Sequence, residues 1–438
     1  MRTAVSVPGD AVISSAAVLT SVADTIAGFT AALRDGRSGV RDAGLPGAAK
    51  VRVAALLAAD GDGASSTLGT GSTLRTGSTL GAGSTLGAGC AARLRAVTGS
   101  CALPASAAAR AGWEAVLAAG LGTAELAGTA VVVGGNNLAL DHQARAATAI
   151  GCGDGRVLPS YALTHLDTDA VGAVSELTGA TAEGYTIGGA SASGTLAMIH
   201  ACRLLALDAV EHCLVIGALS ELSAAEYRAL HDSGAMAAGA GMPPAAVCRP
   251  FDRHRTGFVH GHGTGAVVLE RRYTAQRRGI QPLAVVAGYA QRLDGRRGTA
   301  PDPAGQAATI VAALRSAGLS PREVDYVNAH ATGSVLGDRC EAEALASVFG
   351  KAGPLVNATK ELTGHCLAGS GVIEAVATAI QLREGFCHPN PNLTEPADPR
   401  LSYVGRTAAA VSLKAAVSTS FAFSGINSAL VITGPAGT

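Results

Sequence analysis

Residues 185–206 read YTIGGASASGTLAMIHACRLLA, a short β-type run, a turn of small residues and then a long apolar helix. Ser191 falls where the turn enters the helix. Free backbone N–H groups and the positive end of the helix dipole there stabilise an anion or an oxyanion. The apolar stretch continues to Val210 but contains His200, Arg203 and Asp208, so it reads as a buried core helix and not as a membrane span. A serine at such a turn, taken alone, is usually an N-cap. Three further segments decide what this one means.

The first is His330–Glu341, HATGSVLGDRCE, directly after the strand-like VDYVNA. The second is Lys360–Gly371, KELTGHCLAGSG, leading into a helix, and the third is Ser418–Asn427, STSFAFSGIN, read as a Gly/Ser-rich loop before a final strand. Around them, Thr129–Val133, His212–Gly217, Ala266–Glu270, Val324–Ala329 and Ala429–Thr433 are expected strands. Ser106–Ala119, Thr195–Ala206, Pro303–Ala317, Glu341–Phe349 and Gly371–Glu384 are expected helices. Buried strands alternating with helices predict an α/β protein.

Composition narrows the function. The 438 residues are 48% apolar, enough for a large core, and 33 basic residues balance 33 acidic ones. With no basic run and 3% aromatic residues, nucleic acid is excluded as a partner. Nine cysteines without a C-x-x-C pair predict reduced thiols and a cytoplasmic protein. Pro8, Gly9 and Asp10 interrupt the start of the chain, so no signal peptide is expected, and no membrane partner. Residues 66–89 repeat the unit STLGTG/STLGAG and are expected to form a flexible surface loop without a catalytic role. His260 and His262 lie two apart, but without a third ligand they do not make a zinc site, and no metal is expected.

Taken together the segments resemble the β-ketoacyl-acyl-carrier-protein synthases. HATGSVLGDRCEAEAL is similar to the family run HGTGT-x-x-GD-x-x-EA-x-AL, ATKELTGHCLAGSG to STK-x-x-x-GH-x-x-GAAG, and STSFAFSGIN to NSFGFGGTN. RPFDRHRTGFVHGHGTGAVVLE (Arg249–Glu270) and VADTIAGFTAALRDGRSGVRD near the start match as well. The resemblance spans nearly the whole chain outside the repeat. It implies a thiolase-like fold, two pseudo-repeated halves in a five-layer αβαβα body, divided here as 1–270 (with the loop 66–89) and 271–438. It further implies a homodimer or ketosynthase-type heterodimer, and a substrate carried on the phosphopantetheine of an acyl carrier protein, with no other cofactor. By the same resemblance His330, His365 and Lys360 are catalytic, and Phe423 is a gate whose N–H joins that of Ser191 in an oxyanion hole. Asp338 and Glu341 support the site, and Thr332 and Ser334 contact the phosphopantetheine arm.

The departures carry as much information. The family's A-C-A-x-G is here Ala190-Ser191-Ala192-Ser193-Gly194. A hydroxyl is a far weaker nucleophile than a thiol unless a base removes its proton. Cys202 lies eleven residues along the same helix, about 16 Å away at roughly 1.5 Å per residue, and Cys366 occupies an ordinary apolar position of the pattern, so neither is expected to replace it. His262, Thr256 and Ala331 also differ from the pattern; both a diverged member and a cysteine-to-serine replacement fit. Family members with this serine are associated with malonyl-carrier-protein decarboxylation, the expected activity. Acyl transfer or condensation through a Ser191 oxyester is the alternative. A non-catalytic chain-length-factor-like partner is another, although such partners usually lose the histidines that this chain keeps.

Overall fold

A computed structural model describes residues 10–44, 51–57, 88–152, 156–239 and 241–435. The expected surface loop 66–89 lies outside the described residues except for Ala88 and Gly89, which begin a helix.

Eleven strands form one hydrogen-bonded sheet. They are β1 (Ala11–Thr20), β2 (Thr129–Gly134), β3 (Gly184–Ile187), β4 (His212–Gly217), β5 (Gly263–Arg271), β6 (Ala284–Leu293), β7 (Tyr326–Asn328), β8 (Leu355–Asn357), β9 (Ser402–Tyr403), β10 (Ala415–Ala422) and β11 (Ile426–Thr433). Their order is β9-β8-β7-β10-β11-β6-β1-β5-β4-β2-β3. Between β6 and β1 only three residue pairs connect, Ala11–Val286, Val12–Val285 and Ile13–Ala284. On one side of that seam the strands run β3-β2-β4-β5-β1. On the other, leaving aside the two-residue β9, they run β8-β7-β10-β11-β6. Counted from its own first strand, each half reads third, second, fourth, fifth, first. The directions repeat too: two parallel pairings are followed by two antiparallel ones.

The helices that matter are α1 (Leu103–Ala119), α2 (Thr168–Thr178), α3 (Ser193–Ala206), α4 (Pro303–Ala317), α5 (Val335–Phe349) and α6 (Ser370–Glu384). α3 and α6 pack on each other and touch strands of both halves, so they form the middle layer. Thirteen of the fifteen α6 residues are buried. A helix covered on every side must be apolar or small all round, which accounts for the Ala/Val/Ile-rich run SGVIEAVATAIQL. α1 and α2 cover the first half of the sheet. α4 and α5 cover the second, where Ala342 and Leu345 join Val327 and Val417 in one apolar cluster. The result is the expected five-layer α/β body. Among the described residues no helix is long and apolar enough to cross a membrane.

Two expectations from the sequence change. The helix expected at Glu341–Phe349 begins six residues earlier, at Val335, because Asp338 and Glu341 turn back onto the preceding loop instead of breaking the helix. Ser418–Asn427 is not a loop. It is the end of β10, a turn at Phe423–Gly425, and the start of β11.

Candidate active site

The strand-to-helix turn before α3 is a 3₁₀ turn, Ala190–Ala192, opened by Ala190 in the left-handed region (φ 48°). It holds Ser191 half-buried at the wall of a cavity of about 580 Å³. His330, His365, Thr332, Ser334, Asp338, Glu341 and Phe423, all sequence-expected site residues, line the same cavity. Lys360 does not line it. It is buried behind the histidines, its Nζ paired with Glu374 on α6.

His365 follows the one-turn helix Lys360–Thr363 and Gly364. Its N–H donates to Val259 O (2.7 Å), and its carbonyl accepts from Gly261 N–H (3.0 Å), so the backbone is pinned. Its ring bridges two hydroxyls: Nε2 is 2.8 Å from Ser191 Oγ, and Nδ1 is 3.0 Å from Ser370 Oγ. The His330 ring stands nearly perpendicular to it, with centroids 5.4 Å apart.

The loop carrying His330 is fixed by the two carboxylates of α5. Glu341 accepts from the N–H of His330 (2.9 Å) and of Ala331 (2.7 Å), and from the Thr419 hydroxyl (2.7 Å). Asp338 accepts from the N–H of Thr332 (3.0 Å), Gly333 (3.1 Å) and Phe251 (2.8 Å). Each acid thus neutralises several loop N–H groups that burial would otherwise leave unpaired. Burial pushes the Glu341 carboxyl up to about 7 and that of Asp338 up to about 6, with these donors pulling the other way. Glu374 is likewise pushed up to about 7 by burial and drawn back by Lys360.

Burial, then the charge of Lys360, holds both imidazoles well below the ordinary histidine range. Both are therefore neutral at pH 7, and a neutral imidazole carries one N–H donor and one bare nitrogen. Two such rings at the cavity wall can stabilise a developing oxyanion. His365 Nε2 is also placed to act as a base toward Ser191. The gate-like Phe423 is 43% exposed, and with the exposed Val335 and Leu336 it marks the open side of the cavity.

Neither remaining thiol candidate serves as a nucleophile. Cys202 and Cys366 are buried, and burial pushes each thiol up to about 12. His260 is spent internally, on the Tyr227 hydroxyl (2.7 Å) and Ser220 O (3.2 Å). Among the described residues no group of three or more metal-ligating side chains is assembled. Reading the sequence missed Ser370. The signal was present as a serine in the GSG of KELTGHCLAGSG, where the family run has alanine.

Residues 102–275 match the family described as Beta-ketoacyl synthase, N-terminal domain, and residues 283–394 match Beta-ketoacyl synthase, C-terminal domain. The polyketide biosynthesis malonyl-ACP decarboxylase PksF of Bacillus subtilis is 38% identical over 303 residues, 69% of this chain and 73% of that protein. The chain belongs to the β-ketoacyl synthase family. Among solved structures, the ishigamide ketosynthase/chain length factor matches with a TM-score of 0.82 at 25% identity, covering 98% of this chain and 99% of that one. A β-ketoacyl synthase from Burkholderia phymatum STM815 matches with a TM-score of 0.81 at 27% identity, over 97% and 99%. In this ketosynthase-family enzyme the cavity is lined by His330 and His365, with a serine at the turn before α3.

Proposed function

We propose that this enzyme decarboxylates malonyl thioesters of an acyl carrier protein to acetyl thioesters. The observation that carries the proposal is the pairing of two neutral, buried histidines, 5.4 Å apart, at a cavity whose nucleophile position holds a serine. Breaking the bond between the malonyl Cα and its carboxylate releases CO₂ and leaves the electron pair on the thioester as an enolate. Preorganised N–H donors stabilise that oxygen, and no thiolate is needed. Water then supplies the proton at Cα.

In this reading His330 and His365 donate to the enolate oxygen, with the N–H groups of Ser191 and Phe423 as the second donor pair. Lys360 keeps the histidines neutral from behind, and Asp338 and Glu341 hold the His330 loop. The phosphopantetheine arm passes Thr332, Ser334 and Phe423. The relative PksF carries the matching activity in its name. The test is to incubate the protein with malonyl-carrier protein and follow CO₂ and the carrier's mass. Acetyl-carrier protein is expected, and recovery of intact malonyl-carrier protein contradicts the proposal.

A second reading is favoured by one distance, the 2.8 Å between Ser191 Oγ and His365 Nε2, which suits base-assisted acyl transfer to a Ser191 oxyester. We further propose a dimer with a second ketosynthase-fold chain, identical or related. The β3 edge of the sheet and the exposed Ile150, Leu158, Leu163 and Leu166 support it. The repeated strand order supports halves at 1–270 and 271–438, and the nine free thiols support a cytoplasmic setting.

A further inference from the structure

We infer that Ser370 is a positioning residue for His365: its hydroxyl donates to Nδ1 and so fixes the proton on Nε2, aimed at Ser191 and the cavity. The inference rests on the decarboxylation reading for its purpose but not for its geometry.

Three observations carry it. Ser370 is 3% exposed, and its Oγ lies 3.0 Å from His365 Nδ1. Among the described residues no other hydrogen-bond partner of that hydroxyl is found. If Nδ1–H were the donor, the Ser370 proton would be buried without an acceptor, which costs more than a hydrogen bond contributes. Donation by Ser370 leaves nothing unpaired, because the other end of the chain, Ser191, is half-buried at the cavity and its proton can reach water.

The second observation is the behaviour of the equivalent serine in the other half. Ser193 opens α3 as Ser370 opens α6, each three residues after a left-handed residue. Ser193 uses its hydroxyl locally, donating to Ala190 O (2.7 Å) and accepting from Gly189 N–H (2.9 Å). Ser370 instead reaches outside its own turn to the histidine. The third is charge: with Lys360 held behind them, neither histidine gains by taking a second proton, so the choice lies between two neutral tautomers. A single hydroxyl donor is enough to decide that choice.

The consequence is specific. With the proton on Nε2, His365 is a donor toward the enolate oxygen, and Ser191 Oγ accepts from it and is not deprotonated. The same bond therefore favours decarboxylation and suppresses oxyester formation at Ser191.

The test uses the full-length protein with ¹⁵N-labelled histidine, and His365 is assigned by loss of its signals in His365→Gln. The wild type is expected to show His365 protonated on Nε2, and Ser370→Ala to show a mixture of tautomers. In steady-state assays with malonyl-carrier protein, Ser370→Ala is expected to lower kcat about five- to tenfold with KM unchanged, on the scale of one neutral hydrogen bond, and Ser370→Thr to restore most of it. The family run has alanine at this place, so the alanine variant keeps a residue the turn accommodates. A wild-type His365 protonated on Nδ1 overturns the inference, as does a Ser370→Ala variant with unchanged tautomer or unchanged kcat, or a loss that threonine does not recover. Because the NMR measurement needs no substrate, failure of the decarboxylation reading, seen as a wild type that releases no CO₂, is distinguishable from failure of the tautomer assignment.

Discussion

The turns that open α3 and α6 are the same backbone device used twice. Ala190 (φ 48°) and Leu367 (φ 49°) each occupy the left-handed region, each opens a 3₁₀ turn, and each run ends in Ser-Gly at the start of the long middle-layer helix. The two turns press together. A Cβ on Gly194 would come within 2.8 Å of Ala368 O, and one on Gly371 within 2.5 Å of Thr195 N, so only glycine fits at either place. Of the three positions that differ between the turns, the one that bears on chemistry is Ser191 in the first against Ala368 in the second. A non-glycine residue at positive φ costs about 1–3 kcal/mol and often marks a functional site. Here the strain persists in the half that presents no nucleophile. It therefore belongs to the architecture of the middle layer, and the chemistry is an addition to one copy of it. The second copy contributes what surrounds its turn, namely His365 just before it and Ser370 just after.

The sharpest way to break this comparison is to remove that contribution. His365→Ala or His330→Ala should lower kcat for malonyl-carrier-protein decarboxylation about a hundredfold or more, the scale of losing one preorganised donor to a developing oxyanion. If either variant keeps near-wild-type turnover, the second half does not supply the oxyanion donors, and the division of labour between the turns is wrong.

Next in size is the ion pair behind the histidines. Lys360 and Glu374 are each 1% exposed as side chains. Lys360→Ala strands a buried carboxyl and should cost about 3–5 kcal/mol in denaturant unfolding. The double replacement Lys360→Met/Glu374→Leu should recover most of that. A single replacement as stable as the wild type would show that the pair is not closed.

The smallest expected effect is on pH dependence. Both histidines titrate well below the ordinary value of 6.5, because burial and Lys360 oppose the charged form. Their neutral state is therefore kept between pH 8 and pH 6, so the ring ¹⁵N signals of both histidines should not shift between the two, while Glu341 and Glu374, pushed up to about 7 by burial, are the groups that titrate in that window. A histidine with the unperturbed pKa would already be mostly protonated at pH 6. A histidine ring signal that shifts with a midpoint near pH 6.5 would show that at least one ring is not held neutral.

Much of this was legible in the sequence. The strand–turn–helix reading of 185–206, the two histidine segments and the family runs placed Ser191, His330, His365, Thr332, Ser334 and Phe423 at a common site, and all line one cavity. What was not legible follows from physics that needs three dimensions. The expected helix begins only at Glu341 and leaves Asp338 outside it, yet both sit inside α5, where they satisfy N–H groups of loop residues five to eleven positions earlier. The partner of Lys360 was not legible either: it is Glu374, one turn into α6, and neither residue lines the cavity. The β10–β11 turn was hidden because STSFAFSGIN is rich in small residues that serve a tightly packed strand as well as a loop. The contact between Ser191 and His365 was unexpected. The residues lie 174 positions apart in the chain, and only the fold brings His365 Nε2 to 2.8 Å from the Ser191 hydroxyl.

That contact makes Ser191→Ala the most direct test of the central claim, that stabilising the enolate and not nucleophilic attack drives turnover. The measurement is kcat for CO₂ release from malonyl-carrier protein by Ser191→Ala, with the intact mass of the wild-type enzyme recorded during turnover. The backbone N–H at position 191 survives the substitution, so turnover should stay within about threefold of wild type, and the wild-type mass should show no acyl group on Ser191. Loss of turnover in Ser191→Ala, together with a stable acyl adduct on Ser191 of the wild type, would contradict the claim and establish the oxyester route.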